Sequence, residues 1–307
     1  MQVRRLKDTI STSIMLVATA ISGSLAVIII LLLYLRSKPI LDSKPLSELL
    51  FSSTWLPSTG SFGLYPAIVS TLYVTLIAMT LAIPLSILSA IYLAEYAKES
   101  LRRRILPLVD LLSGIPPIVY GVWGVVTIVP FIAYVAPTVD KLGLPFMRAE
   151  EYSTGYSLIA GGIVLAIMVF PVIISITVQV LRTVPFEVRE ASLSMGATRW
   201  QTVKHILMRV ALPGIAAAII LGFSRAIGET MAVLMVVGNV FAVPTSIFDP
   251  AYPLTALIAN NYGEMMSIPL YDSALLFAAL ILMLIILLFT VSARLILIRI
   301  ERRIAIG

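Results

Sequence analysis

Residues 213–240 read PGIAAAIILGFSRAIGETMAVLMVVGNV. The stretch is long and apolar enough to cross a bilayer, because about 20 residues at 1.5 Å each span the hydrocarbon. Yet it carries Arg225 and Glu229, four apart, with fifteen uncharged residues before the arginine and nineteen after the glutamate. Taken as one helix, it is a membrane span with two charges of opposite sign inside.

Working outward, five further apolar runs occupy about residues 13–35, 67–93, 106–135, 158–181 and 273–298. The third is broken by Pro116 and Pro117, and the fourth contains Pro171. Of the 307 residues, 59% are hydrophobic and 12% charged, whereas soluble domains carry about 25% charged residues. The expectation is an all-α polytopic membrane protein with six transmembrane helices. Its length suits one membrane domain.

Lys and Arg number sixteen in 1–12, 95–106, 181–210 and 294–307, against five in 36–66, 136–157 and 244–272. That bias predicts both termini on the cytoplasmic side, and it explains the net charge of +6 without invoking nucleic acid. The first run follows Arg4, Arg5 and Lys7 but is too long for the apolar region of a signal peptide, so it reads as an uncleaved span. The chain has no cysteine, which excludes disulfides and thiolate chemistry, and its one histidine, His205, lies in a polar segment. A metal site within the membrane is therefore not expected.

Prolines recur inside spans at Pro84, Pro116, Pro117, Pro130 and Pro171. Each removes a backbone donor, tolerable in lipid only where neighbours or a wet cavity satisfy the freed carbonyl. SGIPPIVYGVWG (113–124) reads as an interrupted helix, either simply kinked or lining a pathway, with Gly114, Gly121 and Gly124 permitting close packing. STWLPSTGSFGLYP (53–66) is a surface loop suited to touching a partner. PLTALIANNYGEMM (253–266) reads as a short helix at the outer interface or re-entering the membrane.

On a wheel of about 100° per residue, Glu229 lies about 40° to one side of Arg225 and Asn239 about 40° to the other. One face thus carries Arg225, Glu229 and Asn239. Arg225 stands about 18 Å past Pro213, near mid-bilayer, where an arginine costs roughly 3 kcal/mol. Pairing with Glu229 offsets part of that, but a packed apolar pair is generally as stable as a buried ion pair. The pair is either a salt bridge that pins helix packing or an element of a solute path. Intramembrane charges are functional by default, and a guanidinium fork suits an oxyanion such as phosphate.

The polar segment before this span, RTVPFEVREASLSMGATRWQTVKHILMRVALPG (182–214), has helix-forming stretches on either side of Gly196. EASLSMG resembles the Glu-Ala-Ala, three residues, Gly signature of permease subunits in ABC importers. Carried over by position, the resemblance makes Glu190, Ala191 and Gly196 motif residues, with Ser192 in place of the second alanine. Ala197, Thr198 and Trp200 become contact positions of a coupling helix that docks on an ATPase subunit. One departure is the spacing: thirteen residues separate Gly196 from VALP (210–213), four more than the family pattern. FSRAIGETMAVLMVVGN (223–239), SGIPPIVYGVWG and PLTALIANNYGE look like the PstC-type permease of phosphate-specific ABC importers, more than its PstA-type sister.

The resemblance implies a type I ABC importer permease fold and ATP-driven phosphate import. It implies a second permease as heterodimer partner, an ATPase dimer and an extracytoplasmic phosphate-binding protein, in the cell membrane. The chain lacks a G-x-x-x-x-G-K-[ST] loop, so it is expected to hold no cofactor and to be no enzyme, with ATP and Mg on the partner ATPase. In these terms residues 1–66 are the tail, first span and outer loop. Residues 67–300 are the permease core with its coupling loop at about 182–210, and 301–307 a cytoplasmic tail. Rival expectations are the same architecture with molybdate or sulfate as cargo, and an ATP-independent secondary anion transporter with Glu229 as a proton site.

Overall fold

The computed structural model describes residues 2–141, 143–148, 154–264 and 267–306. Helix α1 (Gln2–Ser43) leads to a short α2 (Leu46–Phe51) and a hairpin of β1 (Trp55–Leu56) and β2 (Ser61–Phe62), antiparallel with Trp55 opposite Phe62. Next come α3 (Tyr65–Ile91), prolonged by a wide π turn to Tyr96, and α4 (Glu99–Ser113). Helix α5 (Pro117–Trp123) runs through a second π turn into α6 (Val129–Asp140), and α7 (Leu158–Thr183) follows. The remainder is α8 (Phe186–Ser194), α9 (Arg199–Thr202), α10 (Met208–Ile227), α11 (Met231–Val236), α12 (Leu254–Asn261) and α13 (Tyr271–Ile306).

Among the described residues, six helical runs are long and apolar enough to cross a membrane: Thr9–Ser43, Tyr65–Tyr96, Pro117–Asp140, Leu158–Thr183, Arg199–Ile227 and Tyr271–Arg299. The core is built on α3 and α7. Val74, Ala78 and Ala82 of α3 share one buried cluster with Val164, Leu165, Met168 and Ile173 of α7. The helices approach closely at Gly162, where a β-carbon would stand 2.4 Å from Ile77 Cγ2. Such small-residue contacts substitute for the hydrophobic drive that lipid does not supply. Helix α10 lies on α7 through Gly222, whose neighbours are Val169 and Ile173. At one end of the bundle a second cluster joins Ile40, Leu49, Phe62, Leu64 and Tyr271, with Trp55 against Phe62, Phe241 and Tyr271. The apolar window of the first span is wholly unburied in this chain.

The third passage is two helices rather than one run over 106–135. Pro117 occupies the first turn of α5, where a missing N–H costs nothing, and it forces Pro116 before it into an extended conformation (φ −58°, ψ 137°). Helix α4 therefore stops at Ser113. Asp110 on α4 accepts a 2.7 Å hydrogen bond from Ser175 of α7, and Gly124 lies against Val164 further along α7. The two pieces thus climb the same neighbour with a break between them.

The fifth passage departs further from expectation. It is not one helix over 213–240: the continuous helix is Arg199–Ile227, and a break at Gly228–Thr230 precedes α11. Gly228, the weakest helix former present apart from proline, stands at the break. The wheel that placed Arg225, Glu229 and Asn239 on one face assumed an unbroken helix and does not apply. The extra residues between Gly196 and Val210 are absorbed without disorder of the helix, which runs on from α9 through a π turn at Val203–Leu207 into α10. In 253–266, α12 forms at Leu254–Asn261, while Met265 and Met266 lie outside the described residues. Helix α13 extends to Ile306.

Candidate functional site

The two breaks meet. The last carbonyls of α4 lack their i+4 helical partners, as at every helix end. The Leu112 carbonyl accepts a 2.7 Å hydrogen bond from the Tyr120 hydroxyl, and the Ser113 carbonyl faces Arg225 Nη2 at 3.4 Å. A guanidinium at a helix C-terminus also meets the negative end of the helix dipole. Arg225 lies one turn beyond Gly222, which packs on Val169 and Ile173 at the middle of α7. Its depth is therefore the depth of the bundle's centre, and it stays half-buried.

Glu229 does something different. Among the described residues no ion pair joins it to Arg225. Its Oε1 accepts from the Ala232 backbone N–H at 3.2 Å, in the first turn of α11, and its own carbonyl accepts from the Thr255 hydroxyl of α12 at 3.0 Å. A carboxylate at a helix N-terminus satisfies an orphan donor and complements the dipole. So the two charges are each settled by a helix end: the arginine by the end of α4, the glutamate by the start of α11. Both remain partly exposed on the broken seam.

Asn239 is not with them. It follows α11 in the left-handed region (φ 53°), which asparagine tolerates, and its Nδ2 donates to the Leu234 carbonyl at 2.8 Å. Its Oδ1 is buried with no partner. Helices α5 and α11 are locked side by side, since a β-carbon on Gly121 would meet Met235 Sδ at 2.7 Å and Ala232 Cα at 3.2 Å.

On the basic face, the segment between α7 and α10 forms a compact hook. Helix α8 carries Glu190 and Ala191, both exposed. The chain then turns at Gly196 (φ 82°), a conformation that costs an L side chain about 1–2 kcal/mol. Thr198 and Gln201 form a reciprocal capping box that starts α9. Ser192 is buried and shares a 2.9 Å hydrogen bond with Thr202, clasping α8 to α9. Outward, Phe186, Leu193, Met195 and Trp200 present exposed apolar surface, with Ala197 half-buried and Thr198 exposed beside them. Clustered exposed apolar side chains of this kind mark an interaction surface.

Three residues missed in the sequence hold the hook to the bundle. Glu95, buried at the end of the α3 extension, receives Arg189 Nη2 at 2.8 Å and Nε at 3.3 Å. The same guanidinium donates to the Leu181 carbonyl at 2.7 Å and to that of Val184. Arg199 donates to the Glu95 carbonyl and lies 4.9 Å over the Tyr96 ring. The available signals were an acid at the end of an apolar run and an arginine directly before the Glu-Ala motif, but nothing in sequence pairs positions 94 apart.

The bundle thus carries broken helices at its centre and an anchored hook on its basic face. The model of the binding-protein-dependent transport system inner membrane component family matches residues 82–305.

The chain belongs to this family.

Within this transport-system family, relatives include the phosphate transport system permease protein PstC of Mesorhizobium japonicum, 38% identical over 83% of this chain and 79% of that one. Another is a probable ABC transporter permease, YqgH of Bacillus subtilis, 39% identical over 71% of this chain and 66% of that one. An archaeal relative, a probable PstC of Methanocaldococcus jannaschii, is 33% identical over 76% of each chain. Among solved structures, the MetNI methionine ABC transporter matches with TM-score 0.54 and 21% identity over 75% of this chain and 93% of that one. A bacterial alginate ABC importer matches with TM-score 0.55 and 19% identity over 96% of this chain and 99% of that one. The fold of this inner membrane component is therefore that of a type I ABC importer permease.

Proposed function

We propose that the chain is the membrane-spanning permease subunit of an ATP-driven phosphate importer. The observation that carries the reading is Arg225, a cation held at the bundle's centre by a helix end rather than by an acid. It is thus free to offer its remaining donors to an oxyanion. The relatives named as phosphate permeases support the same cargo.

In this reading the basic face, with both termini, is cytoplasmic. A second permease completes the path along the seam of the two breaks. A phosphate-binding protein delivers cargo from the opposite face. The hook at Glu190–Trp200, with Glu190, Ala191, Gly196, Ala197, Thr198 and Trp200, docks on an ATPase dimer that holds ATP and Mg2+, while this chain holds no nucleotide. Closure of the ATPases moves the hook, and α10 carries that motion to Arg225, so that access alternates. Glu229 at the start of α11 tempers the attraction and lets the anion leave; Asn239 stabilises the far end of α11.

The test is ATP-dependent uptake of labelled phosphate by the co-purified complex in proteoliposomes, with sulfate and molybdate as competitors. Uptake that needs no ATP, or that sulfate or molybdate suppresses at lower concentration than phosphate, overturns the reading.

A further inference from the structure

At the root of the hook lies a cavity of about 590 Å3, whose rim shares Phe186, Glu190 and Leu193 with the proposed dock. Its lining includes Arg102, Arg182, Arg189 and Arg199, with Glu95 and Glu190 as the acids. The arginines are not equivalent. Arg189 is committed to Glu95 and to the carbonyls of Leu181, Val184 and Pro185, and Arg199 to the Glu95 carbonyl and Tyr96. Arg102 is half-buried and shares Glu99 with Arg103. Arg182 has neither a hydrogen bond nor an ion pair among the described residues. Burial, then the charges of Arg182 and Arg103, push the Arg102 guanidinium below its ordinary value, with Glu95 opposing.

A bias toward basic residues explains why arginines gather on this face. It does not explain why an exposed arginine without a partner and a half-buried one line the same space, of the size that takes small ligands. An anion between the two removes their repulsion and supplies acceptors to both forks.

We propose that this cavity binds a phosphate group, held between Arg102 and Arg182. The group belongs either to free inorganic phosphate or to the headgroup of an anionic phospholipid. The walls come from the α3 extension, α4, the end of α7 and the α8–α9 hook. An occupant therefore ties the hook to the α3 extension, α4 and the end of α7 and stiffens it. The proposal stands apart from the choice of cargo.

The experiment is hydrogen exchange, read by mass spectrometry over 182–199, on the assembled complex carrying Arg225→Gln so that the central site is removed. One arm titrates inorganic phosphate in phosphatidylcholine nanodiscs at constant ionic strength. The other replaces part of the lipid with phosphatidylglycerol and omits phosphate. Exchange over 182–199 slows about tenfold once the ligand exceeds its dissociation constant about tenfold. Slowing in the first arm assigns the free ion, and slowing only in the second assigns the headgroup. In either case Arg182→Gln abolishes it. No slowing in either arm, or slowing that survives Arg182→Gln, overturns the proposal. A failed cargo reading shows separately, as phosphate uptake that Arg225→Gln leaves intact.

Discussion

Arg189, on the hook, grips the carboxylate of Glu95, at the end of the α3 extension, through two N–H groups while its guanidinium also closes the carbonyls of Leu181 and Val184. The side chains are 15% and 9% exposed, so water replaces neither partner well. Breaking such a pair from one side strands a charge and costs about 3–5 kcal/mol when fully buried, less here. Glu95→Gln is expected to lower the thermal midpoint of the purified complex and to leave ATP hydrolysis running without matching uptake. Arg189→Lys keeps the charge but loses the fork, and should show the same uncoupling in milder form. Uptake per ATP measured in proteoliposomes decides it.

Arg225→Gln removes a charge-assisted donor worth about 1.5–3 kcal/mol, or roughly 10- to 150-fold in transport rate if phosphate is the acceptor. The bundle should still assemble, because among the described residues Arg225 gives up a single hydrogen bond, to the Ser113 carbonyl. Size-exclusion profiles and initial uptake rates, measured together, separate loss of folding from loss of function.

Glu229→Gln and Glu229→Ala are expected to differ. Glutamine can still accept from the Ala232 N–H, so α11 keeps its first turn, and only the negative charge beside the path is lost. Apparent affinity for phosphate should rise while maximal rate falls. Alanine also loses the cap, at about 1 kcal/mol, and should lower thermal stability as well. A KM-against-Vmax comparison, with melting curves, checks both.

Gly196→Val isolates the turn. A β-carbon at this position meets nothing within 4 Å in this chain, so the cost to the chain itself comes from the positive φ. The expected cost is about 1–2 kcal/mol of local strain, with membrane insertion intact and stimulation of the ATPase reduced. Trp200→Ala leaves the turn alone and trims exposed apolar surface; it should weaken capture of the ATPase subunit in pull-downs without changing the melting temperature.

The six passages and the hook were legible because lipid imposes length and apolarity, and because the Glu-Ala signature marks a local turn. The breaks were only half legible. Pro116–Pro117 announces an interruption, since proline restricts both itself and its predecessor. Gly228 does not, because a lone glycine inside an apolar run is tolerated in many membrane helices. The angular argument for Arg225, Glu229 and Asn239 failed there: periodicity measures faces only while the helix lasts. Glu95 and Arg189 were illegible because their meeting depends on where α3 ends relative to α7.

The helix from Arg199 to Ile227 passes through a π turn but is not interrupted. At 29 residues it is a lever about 44 Å long. One end belongs to the hook, which we propose docks on the ATPase, and the other carries Arg225. Tilting such a lever by about 5° displaces its far tip by roughly 4 Å, more than the length of a hydrogen bond. In the proposed cycle, an anion's hold on Arg225 would be made and broken by a motion of this size.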